Sequence, residues 1–442
     1  MNIKFKRYND VVIHKTRIKL FYQNIWFLFF KKIISAVLVV LTLILFLYII
    51  TLGESMKKTI KDYIYQGKKV ILRCDLNVPI SNDIVTDDTR IKESLITINY
   101  LTKQGAKIII LSHLGKVNKE EDKDKNSLYP VYLKLKEYLE TNVYFSQQTR
   151  GAELESKVNK LQNGEVLLVE NTRYEDIDGK KESNCDEELS KYWASLGDFY
   201  INDAYGTSHR LHASNVGIAK LLPNAIGFLI EKEITKLDEI LNENTHPFVV
   251  ILGGKKISDK TLVIENLIEK CDKILIGGGM CFTFLKSNDI CVGNSIVDNE
   301  NLDFCKNILN NYQEKIVLPV DIVTNKNEIK EINNLDSDDI GYDIGPKTIE
   351  LFEKNLQNAK RVVVNGPMGV FEEPDFSKGT DKIYKFLKEN NIKTLIGGGD
   401  SAASVNLLGY QDSFFHISTG GGATLDYLSG KKLPGIEIIE DK

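Results

Sequence analysis

The sequence predicts an α/β protein built on parallel sheets. From residue 56 onward, short runs rich in valine and isoleucine recur, and segments with helical spacing of their apolar residues lie between them, as at 127–140, 261–270 and 379–390. Continuous apolar strands that alternate with helices are typical of parallel sheets covered on both faces. The predicted strands are 70–74, 107–112, 165–169, 198–202, 248–252, 273–276, 315–320, 361–365, 394–397 and 414–418.

These strands are too many for one ordinary open sheet, so we expect two domains with a cleft between them. The segment 224–243 follows Pro223 and carries apolar residues at spacings of three and four, which predicts one amphipathic helix between the halves. The prediction is two Rossmann-like domains joined by this helix. Its parts are an extension at 1–55, an N-terminal domain at 56–223, the helix at 224–243, a C-terminal domain at 244–424 and a tail at 425–442.

Charge and cysteine content exclude several classes of protein. Residues 1–55 carry a net charge of +6 and the remainder of the 442-residue chain carries −10. An acidic body argues against nucleic-acid binding, which needs a basic face. The six cysteines are scattered without any CxxC pair, so we expect neither a disulfide framework nor a zinc site, but free buried thiols in a reducing compartment.

The residues 33–52 form an uncharged apolar run that is long enough to cross a bilayer as a helix. Lys31 and Lys32 precede it, so the positive-inside rule would keep the N-terminus cytoplasmic and anchor the protein through this run. The alternative is that translation begins at Met56, which opens what reads as a complete enzyme located in the cytoplasm. Both alternatives stay open, and membrane association is expected only if residues 1–55 are translated and retained.

Glycine clusters follow predicted strands in the C-terminal half, at 253–254, 277–279, 397–399 and 420–422. Glycines at such positions let backbone amides approach an anion, and a following helix adds a positive dipole end. In 395–405, Asp400 and Ser401 are predicted at N-cap positions, and Asp400 is placed to reach a phosphate-bound magnesium. One such cluster alone would indicate only a tight turn, whereas four favour nucleotide binding. The phosphate-binding pattern GxxxxGK[ST] does not occur.

Basic residues lie near strand ends in the N-terminal half. Arg90, Lys116, Arg173 and Arg210 are accompanied by His113 and His209. Each alone would be a surface ion-pair residue, but together they favour a small polyanionic substrate, because arginine binds phosphate or carboxylate with a planar fork of donors. Asp75 and Asn77 are candidates to accept hydrogen bonds from substrate hydroxyls, or alternatively cap the turn before Pro79.

Lys256 and Lys260 lie four residues apart in GGKKISDK. If a helix begins near Ser258 or Asp259, the two lysines share one of its faces and both point into the cleft. Phosphoryl transfer needs positive charge near the oxygens of the moving group. A solvated basic turn is the alternative.

The motifs taken together resemble one known family, the phosphoglycerate kinases, over residues 56–442. They are RCDLNVP, DDTRI, SHLGK, ENTRYE, NDAYGTSHRLHAS, ILGGKKISDK, IGGGM, LPVD, DIGPKT, NGPMGVFE, IGGGDSAA and STGGGATLDYLSGKKLPG, in this order. The resemblance implies reversible phosphoryl transfer from 1,3-bisphosphoglycerate to ADP, giving 3-phosphoglycerate and ATP, with Mg²⁺ bound to the nucleotide. It also implies a monomer whose tail packs back near the hinge.

The resemblance assigns a role to individual positions. Substrate binding is implied for Asp75, Leu76, Asn77, Arg90, His113, Leu114, Gly115, Lys116, Arg173 and Arg210. Nucleotide binding is implied for Lys260, Gly345, Asn365, Glu372, Gly398, Gly399, Asp400 and Ser401, with Asp400 as the magnesium ligand through the nucleotide. Catalytic roles are implied for Arg90, Lys256, Gly398 and Gly399.

The chain departs from the family pattern at a few of these positions. Lys116 stands where the family has arginine, which keeps the charge and loses the bidentate fork. Lys255 stands where alanine is usual, Ser401 replaces threonine and Val364 replaces tryptophan. We expect weaker phosphoglycerate binding from Lys116 and an active enzyme, because every charged catalytic position is kept.

Two rival functions belong to other classes. One is a membrane-tethered binding or adhesion protein that retains the kinase fold, supported only by residues 33–52. The other is a different ATP-dependent kinase on a similar two-lobed scaffold, which would leave the intact substrate-half motifs without a reason.

Overall fold

Two six-stranded parallel sheets organise the chain, one in each half of the sequence. The computed structural model describes residues 56–442, and the predicted membrane span at 33–52 lies outside the described residues. The first sheet has the order β5-β6-β4-β1-β7-β8, and β2 and β3 form a small hairpin beside it. The strands are β1 Lys69–Cys74, β2 Ile80–Ser81, β3 Ile84–Val85, β4 Lys107–Leu111, β5 Val143–Ser146, β6 Val166–Val169, β7 Phe199–Asp203 and β8 Asn224–Ile226.

The second sheet has the order β11-β10-β9-β15-β16-β17. A three-stranded antiparallel sheet with the order β13-β12-β14 accompanies it. The strands are β9 Phe248–Leu252, β10 Lys273–Ile276, β11 Ile316–Val317, β12 Asp321–Thr324, β13 Ile329–Glu331, β14 Gly341–Ile344, β15 Arg361–Asn365, β16 Lys393–Gly397 and β17 His416–Ile417.

Helices cover both faces of the two large sheets. Because of this cover, all five residues of β9 are buried, which is why the strands read as continuous apolar runs. The helices are α1 Thr89–Lys103, α2 Tyr129–Tyr138, α3 Ala152–Lys160, α4 Glu187–Ala194, α5 Phe228–Asn242, α6 Thr261–Ile268, α7 Cys281–Ser287, α8 Leu302–Tyr312, α9 Pro346–Leu356, α10 Lys378–Glu389, α11 Gly399–Leu408, α12 Gly422–Leu428 and α13 Pro434–Glu437.

The predicted α/β class with two Rossmann-like halves is confirmed, and each of the ten predicted strands overlaps a strand of the structure, although β11 and β17 have only two residues each. Strands β2, β3, β5 and β8 and the antiparallel sheet were missed, because each of these strands has only two to four residues and is too short to show a period. All six cysteines are free, and Cys291 is exposed while Cys185 is half-buried, so only four of them are the buried thiols expected from the sequence.

The predicted helix at 224–243 is wrong at its beginning. Asn224–Ile226 extend the first sheet as β8, and the helix starts only at Phe228. Gly227 separates the two elements, and a methyl group on it would come within 2.3 Å of Oδ1 of Asp203. Ile226 fits the apolar spacing of a helix and is equally suited to the buried end of β8. Periodicity alone therefore could not distinguish a strand from a helix at this position.

The C-terminal segment returns to the N-terminal half. The Nδ2 group of Asn202 donates a hydrogen bond to the carbonyl of Gly435 at 2.7 Å, and the amide of Gly435 donates to the carbonyl of Ser208 at 2.8 Å. The amide of Glu440 donates to Oδ1 of Asn224 at 2.8 Å. Within residues 56–442, no helix has the length and apolar character needed to cross a membrane.

Candidate active site

Asp75 and Arg90 form the centre of a polar cluster at the carboxyl end of the first sheet. Asp75 directly follows β1, and Arg90 lies in the first turn of α1. The Nη1 group of Arg90 donates to Oδ1 of Asp75 at 3.1 Å and to the carbonyl of Asn77 at 3.0 Å. Burial disfavours the charged carboxylate, but Arg90 and the nearby His113 and Arg73 outweigh burial, so the pKa of Asp75 is lowered.

Hydrogen bonds from backbone amides to side-chain oxygens connect the RCDLNVP and SHLGK segments. Oδ1 of Asn77 accepts a hydrogen bond from the amide of Gly115 at 2.8 Å, and the amide of Leu76 donates to Oγ of Ser112 at 2.9 Å. The amide of Leu114 donates to Oδ1 of Asn171 at 3.1 Å. Asn77 therefore holds the neighbouring loop, in addition to facing the cavity described below.

His113 is half-buried beside the pair formed by Asp75 and Arg90. Its Nδ1 lies 3.4 Å from Nη2 of Arg73 and 4.0 Å from Oδ1 of Asp75. Burial lowers the pKa of His113 to about 3; the positive charges of Arg73, Arg173 and Arg90 act in the same direction, whereas Asp75 opposes the shift. The imidazole is therefore neutral near pH 7 and can donate one N–H to a ligand.

Arg173 and Arg210 approach the same cluster through a second histidine. The positive charges of both arginines add to burial in depressing the pKa of His212. Arg173 donates from Nη1 to Oδ2 of Asp176 at 2.7 Å, and its buried Nε has no hydrogen-bond partner within residues 56–442. Arg210 is exposed, and its Nε lies 3.1 Å from Nε2 of His209. The predicted arginines are thus brought together around His113 and His212.

Lys116 lies at the exposed edge of this cluster. The preceding Gly115 has a φ of +58°, and a methyl group on it would come within 2.0 Å of Oδ1 of Asn126. The tight turn therefore requires glycine and directs Lys116 away from the protein interior.

In the C-terminal half, the ends of β15 and β16 form a backbone loop around Asn365. The Nδ2 group of Asn365 donates to the carbonyl of Gly397 at 3.0 Å, and its buried Oδ1 has no hydrogen-bond partner in the part of the chain that the structure describes. The Oγ of Ser401 accepts a hydrogen bond from the amide of Gly366 at 2.6 Å. Gly398, with a φ of +96°, is the N-cap of α11, so the predicted N-cap positions of Asp400 and Ser401 are wrong and both lie in the first helical turn.

Lys260 and Asp400 lie close enough to interact electrostatically. Burial lowers the pKa of Lys260, whereas the negative charges of Asp259 and Asp400 oppose this shift. Asp400 and Gly399 are exposed. A cationic amine and the N-terminus of α11, which both favour an anion, therefore meet the exposed carboxylate of Asp400 at this edge of the second sheet.

The predicted shared helix face of Lys256 and Lys260 is wrong, because α6 begins only at Thr261. Lys260 is half-buried at the N-cap position, and Lys256 is exposed in the preceding loop. Lys256 lines a separate groove of about 360 Å³ together with Lys255 and Asp298. Both lysines remain near the carboxyl end of β9, although not on a common helix.

Gly345 and Glu372 occupy two further loops of the C-terminal half. Gly345 is the N-cap of α9, and a methyl group on it would overlap the carboxylate of Asp321. Glu372 is exposed in the loop that follows β15. Among the described residues, no hydrogen bond joins either of them to the Asn365 loop.

A cavity of about 630 Å³ connects residues from both halves. Asn77 and Arg90 line it from the N-terminal half, Glu233 from α5, and Gly399 from the C-terminal half. The cavity therefore brings a predicted substrate residue and a predicted nucleotide residue to one shared space.

Sequence reasoning missed several residues of the cluster. Arg73 and His212 are buried, and Glu182 is fully buried beneath them. Arg73 lies within the apolar strand β1, where burial of an unpaired arginine would be costly. An arginine in such a strand was therefore the sequence signal that could have identified it as a paired, functional residue. Glu182 lies in a loop without any recognisable pattern.

Comparison with known proteins agrees with this arrangement. A family model described as phosphoglycerate kinase matches residues 60–431. The chain belongs to the phosphoglycerate kinase family. Phosphoglycerate kinases from Macrococcus caseolyticus and Fusobacterium nucleatum are each 52% identical to it, over 394 and 398 residues; the alignments cover 87% and 88% of this chain and all of each relative.

Solved structures support the same family. The phosphoglycerate kinase of Coxiella burnetii has a TM-score of 0.75 at 33% identity, and that of Pyrococcus horikoshii has a TM-score of 0.76 at 32% identity. Each similarity covers 86% of this chain and 98% of the other. The chain therefore has phosphoglycerate kinase activity. It is a phosphotransferase with a carboxyl group as acceptor.

Proposed function

We propose that the N-terminal half binds 3-phosphoglycerate or 1,3-bisphosphoglycerate, that the C-terminal half binds ADP or ATP, and that the phosphoryl group crosses between them. The observation that carries this proposal is the cavity shared by Arg90, Asn77 and Gly399. In the direction of ATP formation, an oxygen of the ADP β-phosphate attacks the acyl phosphate, and the carboxylate of 3-phosphoglycerate leaves.

The cluster around His113 suits a three-carbon acid with two anionic ends. Arg90, Arg173, Arg210 and Lys116 supply positive charge, and the neutral imidazole of His113 supplies a hydrogen-bond donor that does not add to the repulsion between them. Asp75 is held ionised by Arg90 and can accept a hydrogen bond from the substrate hydroxyl. The backbone of Leu76, Leu114 and Gly115 forms part of the surface around this proposed substrate site.

The loops around Asn365 and Gly398 suit the phosphates of a nucleotide. The first turn of α11 offers amides and a positive dipole end, and Lys260 adds a cation. Gly345 and Glu372 are proposed to contact the nucleoside, with Glu372 at the ribose hydroxyls. Ser401 is proposed to position the loop through Gly366.

The residues present fit a nucleotide-bound magnesium. This ion commonly uses one or two carboxylates together with substrate phosphates, and Asp400 is one exposed carboxylate beside Lys260. Within residues 56–442 no cluster of three or more acidic, histidine or cysteine side chains forms a complete metal cage. Magnesium bound with the nucleotide would neutralise phosphate charge during transfer.

Catalysis in this proposal needs positioning and charge neutralisation, without a covalent enzyme intermediate. Arg90 from the shared cavity and Lys256 from the neighbouring groove are proposed to stabilise the charge on the moving phosphoryl group once the two halves close. Because the acyl phosphate hydrolyses readily, closure of the two halves on each other would also exclude water. We also propose that 56–223 and 244–424 are the two domains that move in this closure, with the joining helix between them.

Two neighbouring lysines offer a sharp test of the mechanism. In the full-length protein with 3-phosphoglycerate and MgATP, Lys256→Ala should lower kcat by about 100-fold or more, as expected for loss of a charge that acts on the transition state. Lys255→Ala is the matched control, and its effect in either direction should stay below about tenfold. Equal effects of the two substitutions would refute the role of Lys256.

The same assay separates the rival functions. A tethered binding protein that retains only the fold would show no turnover, and a kinase for another substrate would show none with 3-phosphoglycerate. The monomeric state is proposed and can be checked by sedimentation. The N-terminal sequence of the native protein decides between Met1 and Met56 as the start and thereby tests the predicted location.

A further inference from the structure

A chain of fully buried polar groups lies beneath the His113 cluster. Glu182, Ser214 and Arg73 are each 0% exposed. The hydroxyl of Ser214 donates to Oε1 of Glu182 at 2.5 Å, and the amide of Ser214 donates to Oε2 at 2.9 Å. The Nε of Arg73 donates to the Oγ of Ser214 at 2.8 Å. Since the one hydroxyl hydrogen goes to Glu182, the oxygen is left to accept from Arg73.

The other end of Arg73 reaches His113. Its Nη1 donates to the carbonyl of Cys74, and its Nη2 lies 3.4 Å from Nδ1 of His113. A guanidinium group has donors and no acceptor, so Nδ1 must be the accepting nitrogen and the proton must lie on Nε2. Asp75 lies 4.0 Å from Nδ1, beyond hydrogen-bond distance, and does not compete for this position.

We propose that Glu182 and Ser214 are positioning residues that hold Arg73 so that His113 keeps its neutral Nε2–H tautomer for the substrate. The inference rests on the proposed role of His113 in phosphoglycerate binding. Glu182 also supplies the negative charge that a fully buried arginine requires. Its carboxylate interacts favourably with Arg73, although burial raises the pKa of Glu182 overall.

Loss of the Ser214 hydroxyl would uncouple the two ends of this chain. Arg73 would lose the acceptor for Nε, while Glu182 would keep the hydrogen bond from the amide of Ser214. The guanidinium could then rotate away from Nδ1, and His113 would populate both tautomers. Substrate binding should suffer, whereas nucleotide binding should not, because no hydrogen bond or ion pair among the described residues joins Glu182, Ser214 or Arg73 to the nucleotide half.

The test uses full-length protein with Ser214→Ala, Glu182→Gln and Ser214→Thr, of which the last keeps the hydroxyl. Glu165→Gln is the matched control, because Glu165 is a buried glutamate at the opposite end of the first sheet, bonded to Asn142 and Tyr144. We expect Ser214→Ala and Glu182→Gln to raise the KM for 3-phosphoglycerate about five- to tenfold, the scale of one lost charge-assisted hydrogen bond. The KM for ATP should not change, and Ser214→Thr should restore the wild-type value.

The tautomer of His113 provides a readout that a merely structural role would not move. In ¹⁵N-histidine-labelled protein, nitrogen chemical shifts should show the Nε2–H form in the wild type and a mixture in Ser214→Ala. A wild-type Nδ1–H form would overturn the inference, and this result does not depend on whether any variant folds. In variants that do fold, an unchanged KM for 3-phosphoglycerate together with unchanged nitrogen shifts would also overturn it. Absence of wild-type turnover with 3-phosphoglycerate would instead overturn the proposed function.

Discussion

The carboxylate of Glu233 lies 2.7 Å from Nε2 of His416, and both side chains are buried. The other carboxylate oxygen accepts hydrogen bonds from the amide and the hydroxyl of Thr419, each at 2.8 Å. Glu233 belongs to α5, whereas His416 and Thr419 precede the last glycine triplet. This contact therefore attaches the joining helix to the C-terminal half, next to the cavity that both halves share.

Replacement of Glu233 by glutamine should weaken this attachment. Burial disfavours the charged carboxylate, but the hydrogen bond and charge of His416 outweigh burial, so the pKa of Glu233 is lowered. Glu233→Gln should lower the free energy of unfolding by about 1–3 kcal/mol, measured by urea denaturation at pH 7. Glu231→Gln on the same helix is the control, since its exposed pair with Lys61 should contribute less than about 1 kcal/mol. Equal losses in both variants would contradict this prediction.

Asp203 should make the protein less stable as the pH rises towards neutrality. Burial raises the pKa of Asp203 to about 7, although the amides of Leu229 and Ile230 donate to its carboxylate. The folded protein therefore holds this proton more tightly than the unfolded chain, whose aspartate pKa is about 4. Its contribution to stability falls as the pH rises from about 4 to about 7 and stays constant above that.

Asp203→Asn should remove this contribution. Between pH 5 and pH 8, the wild type should lose on the order of 2–3 kcal/mol more unfolding free energy than the variant. Urea denaturation at both pH values checks this. Asp178→Asn, at an exposed position, should behave as the wild type does. A variant with the full wild-type pH dependence would show that Asp203 is ionised throughout.

Lys116→Arg should strengthen phosphoglycerate binding. Arginine restores the planar fork of donors that lysine lacks, at an exposed position where the side chain has room. The KM for 3-phosphoglycerate should fall about two- to fivefold with kcat unchanged, as for a group that binds ground state and transition state alike. Lys119→Arg, three residues further along the chain, should change neither constant. An unchanged KM in Lys116→Arg would count against this role.

Gly398 and Gly399 should respond differently to alanine. Gly398 has a φ of +96°, and a methyl group on it would lie 3.0 Å from Nδ2 of Asn365, whereas no atom of the described residues outside the helix lies within 4 Å of the same position on Gly399. Gly398→Ala should lower the unfolding free energy by about 1–2 kcal/mol and raise the KM for ATP. Gly399→Ala should leave stability within about 0.5 kcal/mol of the wild type. Thermal unfolding and nucleotide kinetics measure the two effects.

Local patterns were sufficient for most of the central strands and for the order of the motifs. They failed where one residue fits two structures, as Ile226 does at the start of the joining helix, and where a helix begins later than its composition indicates, as at Lys260. The arginines and glycines of the candidate site could be predicted because residues of these types near strand ends are visible in the sequence. The buried residues that hold them in place could not be predicted, since a glutamate such as Glu182 carries no local signal.

The sequence by itself determined the two α/β halves, their basic and glycine-rich strand ends and the family, because these depend on short-range periodicity and on motifs of a few residues. Only the tertiary structure decided which distant side chains meet. Arg73 contacts Ser214 across 141 positions and Glu233 contacts His416 across 183. Such pairs depend on the order of strands in a sheet and on helix packing, which no window of neighbouring residues contains.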